Sequence, residues 1–235
     1  MKIKHKQWGI GTKLYELSGG YQILVNFDNH GKIQVLQKDC EEVSDNTVEK
    51  VQNNDSKNIS DFKNLCNLPL TQIFNEDESI ILEFKSSLKY SYDEKQSDKQ
   101  LVWVILKTIC AFLNTLGGIL IIGVDDNKKI LGLSEDYKVC NSDKNNWDGW
   151  ILYLQEHISN SMGVGVTTNI KIDRNEIGEN NDKKEIAKII VEKSKKMVFV
   201  KTPAESTTYV RLHAMSKKLD AEETMKWAQE HNRSL

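Results

Sequence analysis

The segment from Leu101 to Val124 constrains this chain more than any other. Its 24 residues carry a single charge, Lys107. A run of that length is long enough to cross a bilayer, but its period changes in the middle. Leu101, Val104, Ile105, Ile109, Phe112 and Leu113 recur at helical spacing. Beyond Asn114 and the Gly117-Gly118 pair, Ile119 to Val124 is continuously apolar. The first half reads as an amphipathic helix stopped at Gly117. The second reads as a central strand covered on both faces. A helix leading into a buried strand belongs to a globular domain, so no membrane segment is expected.

The flanking sequence supplies the rest of a sheet. Ile80 to Lys85 reads as a strand, with Ile80, Leu82 and Phe84 on one face and Ile81, Glu83 and Lys85 on the other. A polar loop is expected over 86–96. Ser97 then serves as the helix N-cap, with Gln100 completing a capping box. Asp125 to Lys129 reads as a turn, and Trp150 to Ile158 as a second helix. Val166–Asp173 and Glu185–Glu192 read as paired strands, and Met197–Val200 is expected to extend their sheet. Tyr209 to Leu212 reads as a further strand. Asp220 caps a terminal helix, Ala221 to His231, docked through Met225 and Trp227. The fold class is α+β, a mixed sheet with packed helices.

Residues 1–44 differ in character. Short alternating segments, such as Tyr21 to Phe27 and Lys32 to Leu36, are punctuated by Gly and Asn turns. They predict a small all-β barrel, whose core is marginal without support from elsewhere. A linker is expected over 45–69 and the main domain over 70–235, with a short helix suggested over Phe62–Phe74 by Leu65, Leu68 and Leu70. A chain of 235 residues has room for this arrangement. The formal net charge is −2, so a nucleic-acid surface would have to be a local patch. Cysteines 40, 66, 110 and 140 form no Cys-x-x-Cys pair, which points to free thiols in a reducing compartment. The basic start, Met1 to Lys6, is followed by no apolar run, so no signal peptide and a cytoplasmic location are expected.

Three acids stand at strand ends: Glu78 before the first strand, Glu83 within it, and Asp125 just past the central strand. Hard divalent cations favour such oxygen donors, and a bound ion can activate water and offset charge building on a phosphate. Lys85 shares a face with Glu83 and can hold a phosphate. The residues alone leave the alternative open: a solvated strand face and a simple hairpin turn. Seven lysines between 183 and 201 form either a solvated sheet edge or a phosphate-tracking surface. Arg211, His213, Lys217 and Lys218 make a second cationic cluster. Gly117-Gly118 lacks the spacing of a phosphate-binding loop, and no Ser-His-Asp set stands out.

Glu78-Ser79-x-x-x-Glu83-Phe84-Lys85, then Ala111-Phe112-x-Asn114-Thr115-x-Gly117-Gly118, then Ile122-Gly123-Val124-Asp125-Asp126 together resemble the Schlafen-type AlbA-like domain. The resemblance covers roughly residues 70–230. It implies a metal-dependent endoribonuclease cutting structured RNA such as tRNA, in bacterial stress or phage defence. The alternative is a non-catalytic nucleic-acid-binding adaptor. The implied ligands of Mg²⁺ or Mn²⁺, and the catalytic residues, are Glu78, Glu83 and Asp125. Lys85 and Arg211 match the family's lysine and strand arginine, and with Lys217 and Lys218 they are the expected contacts to RNA, or to DNA. Vertebrate members carry two lobes and a zinc element. This chain has one lobe and no such element, so a homodimer is expected. His5, Trp8-Gly9, Gly11-Thr12, Val25, Phe27-Asp28, Gly31 and Ile33 resemble the Tudor-like module of UvrD-type helicases. That similarity implies an SH3-like barrel that recruits a protein partner. In the other reading the glycines only shape turns, and Trp8 and Phe27 are core.

Overall fold

Backbone pairing in the first unit follows the alternation of its strands. The computed structural model describes residues 2–5, 7, 9–17, 22–27, 31–42, 59–179, 182–202 and 205–234, and the chain divides into units 1–57 and 58–235. The first unit holds β1 (Lys2–His5), β2 (Gly9–Leu17), β3 (Gln22–Phe27), β4 (Gly31–Leu36) and β5 (Cys40–Glu42). They form one antiparallel sheet in the order β4-β3-β2-β1-β5, consistent with a small barrel-like module. Ile3, Ile23, Val25, Phe27 and Val35 make its core. Phe27 is therefore a packing residue, edge-on to His5 at 5.9 Å. Trp8 and Asp28 lie outside the described residues. Gly11 serves close approach: a Cβ there would meet Val25 Cγ1 at 2.7 Å.

The second unit opens with helix α1 (59–67) and a short α2 (Leu70–Ile73), two pieces where the sequence suggests one short helix over 62–74. Then follow β6 (Leu82–Lys85), a small hairpin of β7 (Tyr90–Ser91) and β8 (Gln96–Ser97), α3 (Gln100–Leu113) and β9 (Gly118–Ile122). Next come α4 (Ser134–Cys140), α5 (Trp147–Met162), β10 (Ile170–Ile177) and β11 (Lys184–Val191). The chain closes with β12 (Val200–Lys201), β13 (Ser206–Leu212), β14 (Met215–Leu219) and α6 (Ala221–Glu230).

The main sheet runs β10-β11-β9-β6, with β6 parallel to β9 and the other pairs antiparallel. Every residue of β9 is buried, as its unbroken apolar run predicts. Leu120 and Ile122 face a core that includes Phe112 of α3 and Trp150 of α5. Ile119 and Ile121 face the opposite core, with Leu82, Phe84, Leu65 of α1 and Ile73 of α2. Among the described residues no helix is long and apolar enough to cross a membrane.

Several local expectations are corrected. Ser97 ends β8 and does not cap α3; Asp98 Oδ1 accepts from Gln100 N at 2.7 Å instead. Residues 164–169 form a 3₁₀ turn, so β10 starts at Ile170. Met197–Val200 does not extend the main sheet. Segment 192–199 has no strand, and β12 joins β13 and β14 in a separate three-stranded sheet. The cause is Asn114, fully buried at the end of α3. Its Oδ1 accepts from Val198 N at 2.8 Å and its Nδ2 donates to Val198 O at 2.8 Å. One side-chain amide thus takes the place of a neighbouring strand. Cys110 Sγ also donates to Val198 O, and burial pushes this thiol's pKa up to about 12, which keeps it a donor. The box of Asp220 and Glu223 caps α6 as expected. Of its two docking residues only Trp227 docks, donating from Nε1 to Asn114 O at 3.1 Å; Met225 is 54% exposed.

Gly117 turns the chain from α3 into β9 with φ +87°, and a Cβ there would lie 2.6 Å from Val191 O. Both the conformation and the space exclude a side chain. Gly117→Ala is expected to cost about 2 kcal/mol or more, measured as a lower urea midpoint with an unchanged m-value.

Candidate functional site

β6 is an edge strand, so one row of its backbone groups lacks a strand partner. The preceding segment folds back to cover that edge. Ser79 N donates to Leu82 O at 2.9 Å, and Glu78 Oε1 accepts from Phe84 N at 2.9 Å. Glu78 therefore closes the sheet edge, with its oxygen 3.9 Å from Lys85 Nζ.

Glu83 points to the α3 side of the sheet, opposite Leu82 and Phe84, as the alternation predicts. It is 6% exposed. Lys85 Nζ donates to its Oε1 and also to Phe84 O. On the other side Arg211 Nη2 stands 2.8 Å from Oε2. That approach is close but off-axis: Glu83 Oε2 and Arg211 Nε complete no hydrogen bond among the described residues. Arg211 is itself only 1% exposed. Its guanidinium donates to Ser79 O at 2.6 Å and lies over the Phe112 ring at 5.0 Å. Arg211 was expected at a nucleic-acid surface; β13 instead sends it inward, where it neutralises Glu83 and ties the Glu78–Ser79 segment to α3. Its flat, weakly hydrated cation suits such a buried, stacked position.

Asp125 follows β9, beside the end of β6. Gly123 N and Val124 N both donate to Lys85 O, at 2.8 and 3.2 Å. Asp125 Oδ1 accepts from Asn127 N and Lys129 N, each at 2.9 Å, so its carboxylate builds the expected turn. Lys128, with φ +62°, reaches back to Asp77 Oδ1 and Glu76 O, both at 2.8 Å. This contact holds the exposed Asp77 carboxyl below its ordinary range. The segments bearing the three predicted acids thus adjoin, and Glu78 and Glu83 share Lys85.

The other two cations expected to contact nucleic acid, Lys217 and Lys218, are paired. Lys217 Nζ meets Glu223 Oε1 at 2.6 Å, and Lys218 meets both oxygens of Glu205 at 2.7 and 2.8 Å. The hydrogen bonds hold both carboxyls low.

The donor set can be compared with what Mg²⁺ or Mn²⁺ needs, namely two or three free carboxylate oxygens at one point. Glu83 Oε2, buried without an aligned donor, is an atom a hard cation would take. The rest of the set does not fit. Two side-chain cations already flank Glu83, Glu78 caps a backbone N–H, and Asp125 is committed to its turn. Among the described residues no group of three or more His, Cys, Asp or Glu side chains is placed to hold a metal ion.

The residue that organises this corner was not apparent in the sequence. Asp136 of α4 is 2% exposed. Its carboxylate accepts from Ser87 Oγ, Leu88 N, Lys89 N, Tyr90 N and Trp150 Nε1, at 2.6 to 3.2 Å. The loop leaving β6 is wrapped around it. A lone Asp in a short polar helix gives no signal of this, because its partners are 46–49 positions away in the chain, or 14 for Trp150. Asn114 and Thr115 were visible as part of a motif, but their role was not. Thr115 Oγ1 accepts from Arg211 N at 2.9 Å, so the motif threonine helps place the motif arginine.

The sequence profile of the family described as Schlafen, AlbA_2 matches residues 78–220, from Glu78 to the cap of α6. The chain belongs to the Schlafen AlbA_2 family. Schlafen AlbA_2 domains are nucleic-acid-binding and often nuclease-like. No curated protein sequence matches this chain. Among solved structures, the DIP2311 protein from Corynebacterium diphtheriae is similar at 14% identity with a TM-score of 0.41, over 63% of this chain and 23% of that one. The chain thus spans less than a quarter of that protein, and the likeness carries no argument about this Schlafen AlbA_2 domain.

Proposed function

We propose that this chain is a nucleic-acid-binding module, for RNA before DNA, that holds its ligand without cutting it. The observation that supports this reading is the burial of Glu83 between Lys85 and Arg211. A carboxylate already paired with a buried arginine and a half-buried lysine has little net charge left to attract a divalent ion. In this role the acids are structural: Glu78 closes the edge of β6, Glu83 anchors Arg211, and Asp125 shapes the turn after β9. The N-terminal module would recruit a protein partner, and a second copy of the chain would complete a two-sided grip.

One observation favours a second reading, a metal-dependent endoribonuclease using Glu78, Glu83 and Asp125. The three acids lie on adjoining segments, and Glu83 Oε2 lacks an aligned donor. Incubation of the pure chain with tRNA, mixed RNA and single-stranded DNA, in Mn²⁺ or in EDTA, separates the two. The expected result is gel retardation that survives EDTA, with no new fragments in Mn²⁺. Mn²⁺-dependent fragments that disappear in Asp125→Ala would replace the binding reading with the nuclease one.

A further inference from the structure

We infer that the ligand is a single strand, and that its backbone runs along the groove between the 164–169 turn and segment 192–199. This rests on the nucleic-acid-binding reading above and adds a surface to it. The groove measures about 740 Å³, with Lys195, Lys196 and Lys201 on its rim and Met162, Val166 and Phe199 among its apolar lining.

Three features separate this groove from an ordinary solvated lysine face. The first is charge. Lys195, Lys196 and Lys201 are exposed and make no side-chain ion pair or hydrogen bond among the described residues, whereas Lys85, Lys128, Lys217 and Lys218 are all paired. Glu192 is the one acid lining the groove. In a chain of net charge −2, this is a local positive patch.

The second is rigidity. Segment 192–199 has no regular structure, yet buried groups fix it at several points. Asn114 holds both backbone groups of Val198 at 2.8 Å. Ser194 N donates to Leu113 O at 2.9 Å, and Arg233 Nη1 donates to Ser194 O at 2.7 Å. The lysines are thus carried on a preset backbone, which lowers the entropy cost of holding a ligand.

The third is the lining. Phosphates call for cations, while exposed bases call for flat apolar surface. A lysine rim over a half-buried Phe199 offers both, the combination that holds single strands irrespective of sequence. A duplex keeps its bases stacked inside and has no use for the apolar lining.

The test is fluorescence anisotropy of the full chain with a labelled single-stranded RNA, across about 50 to 200 mM salt. The triple variant Lys195→Glu/Lys196→Glu/Lys201→Glu is expected to bind about 30-fold more weakly or worse. The slope of log affinity against log salt should fall by about 2, at about 0.7 per lost phosphate contact. Phe199→Ala should bind about tenfold more weakly with an unchanged slope. The control Lys99→Glu/Lys144→Glu, at two exposed lysines outside the groove, should bind as the parent does. If the parent binds RNA and the triple variant binds equally well with the same slope, the groove assignment is overturned while the binding function stands. Equal affinity for duplex RNA, or lysine-dependent capture of a polyglutamate peptide in preference to RNA, would overturn the choice of occupant. A parent chain that binds no nucleic acid removes both readings together.

Discussion

Asp136→Ala is expected to destabilise the second unit by about 4 kcal/mol or more, one of the two largest single-residue effects in this chain. The carboxylate accepts five hydrogen bonds, three of them from consecutive backbone N–H groups. Its loss strands Leu88 N, Ser87 Oγ and Trp150 Nε1 in a site that is 2% exposed, and leaves Lys89 N and Tyr90 N with Ser87 Oγ alone, at 3.1 and 2.7 Å. Each buried donor left unpaired costs about 1–3 kcal/mol. Water entering the space left by the side chain recovers part of that sum. For a unit of this size the change corresponds to a melting point lower by about 10 °C, measured by thermal unfolding followed by circular dichroism. Asp136→Asn keeps the volume but brings an NH₂ group toward N–H donors, so it should recover less than half of the loss. A change below about 1 kcal/mol for Asp136→Ala would mean that the 87–90 loop is held by something else.

The same residue shows where reading the sequence stops. α3 and β9 were legible because each has a period: 3.6 residues in Leu101–Leu113, then an unbroken run that only a two-sided strand tolerates. The pairing of β6 with β9 was not legible as such, but the acids at their ends were placed correctly relative to the strands. Polar residues in the core defeated the reading, since their partners are distant in sequence. Arg211 stands in an alternating strand, where an arginine ordinarily signals solvent. Only the assembled fold supplies Glu83, Ser79 and Phe112 around it. Segment 197–200 looked like a strand because it is apolar. Its backbone is instead satisfied by the Asn114 side chain, a competitor that periodicity does not register.

Glu83→Ala is expected to cost about 3–5 kcal/mol, and the sign of this change bears directly on function. Removing one partner of a buried ion pair leaves the other charge uncompensated in a poorly hydrated site. Here the stranded group would be Arg211, which is 1% exposed and keeps Ser79 O at 2.6 Å, a long contact to Ser216 Oγ and the Phe112 ring, none of them a counter-charge. Lys85, with a quarter of its side chain exposed, can turn to solvent and loses little. A chain built around an acidic metal cluster would behave in the opposite way, because deleting one of several like charges relieves repulsion in the metal-free protein and commonly raises stability. A double-mutant cycle sharpens the contrast. Glu83→Met and Arg211→Met should each be destabilising, the first because it strands Arg211, the second because it leaves the buried carboxylate with Lys85 alone. Glu83→Met combined with Arg211→Met should recover most of the loss, as apolar replacements of buried ion pairs do. Urea unfolding of the four proteins gives the coupling energy. A coupling of about 2 kcal/mol or more places Glu83 in the framework of the fold, where its carboxylate fixes Arg211 and, through Ser79, the covered edge of β6. A coupling near zero, with Glu83→Ala more stable than the parent, would return Glu83 to the role of a metal ligand and make the endoribonuclease reading the stronger one.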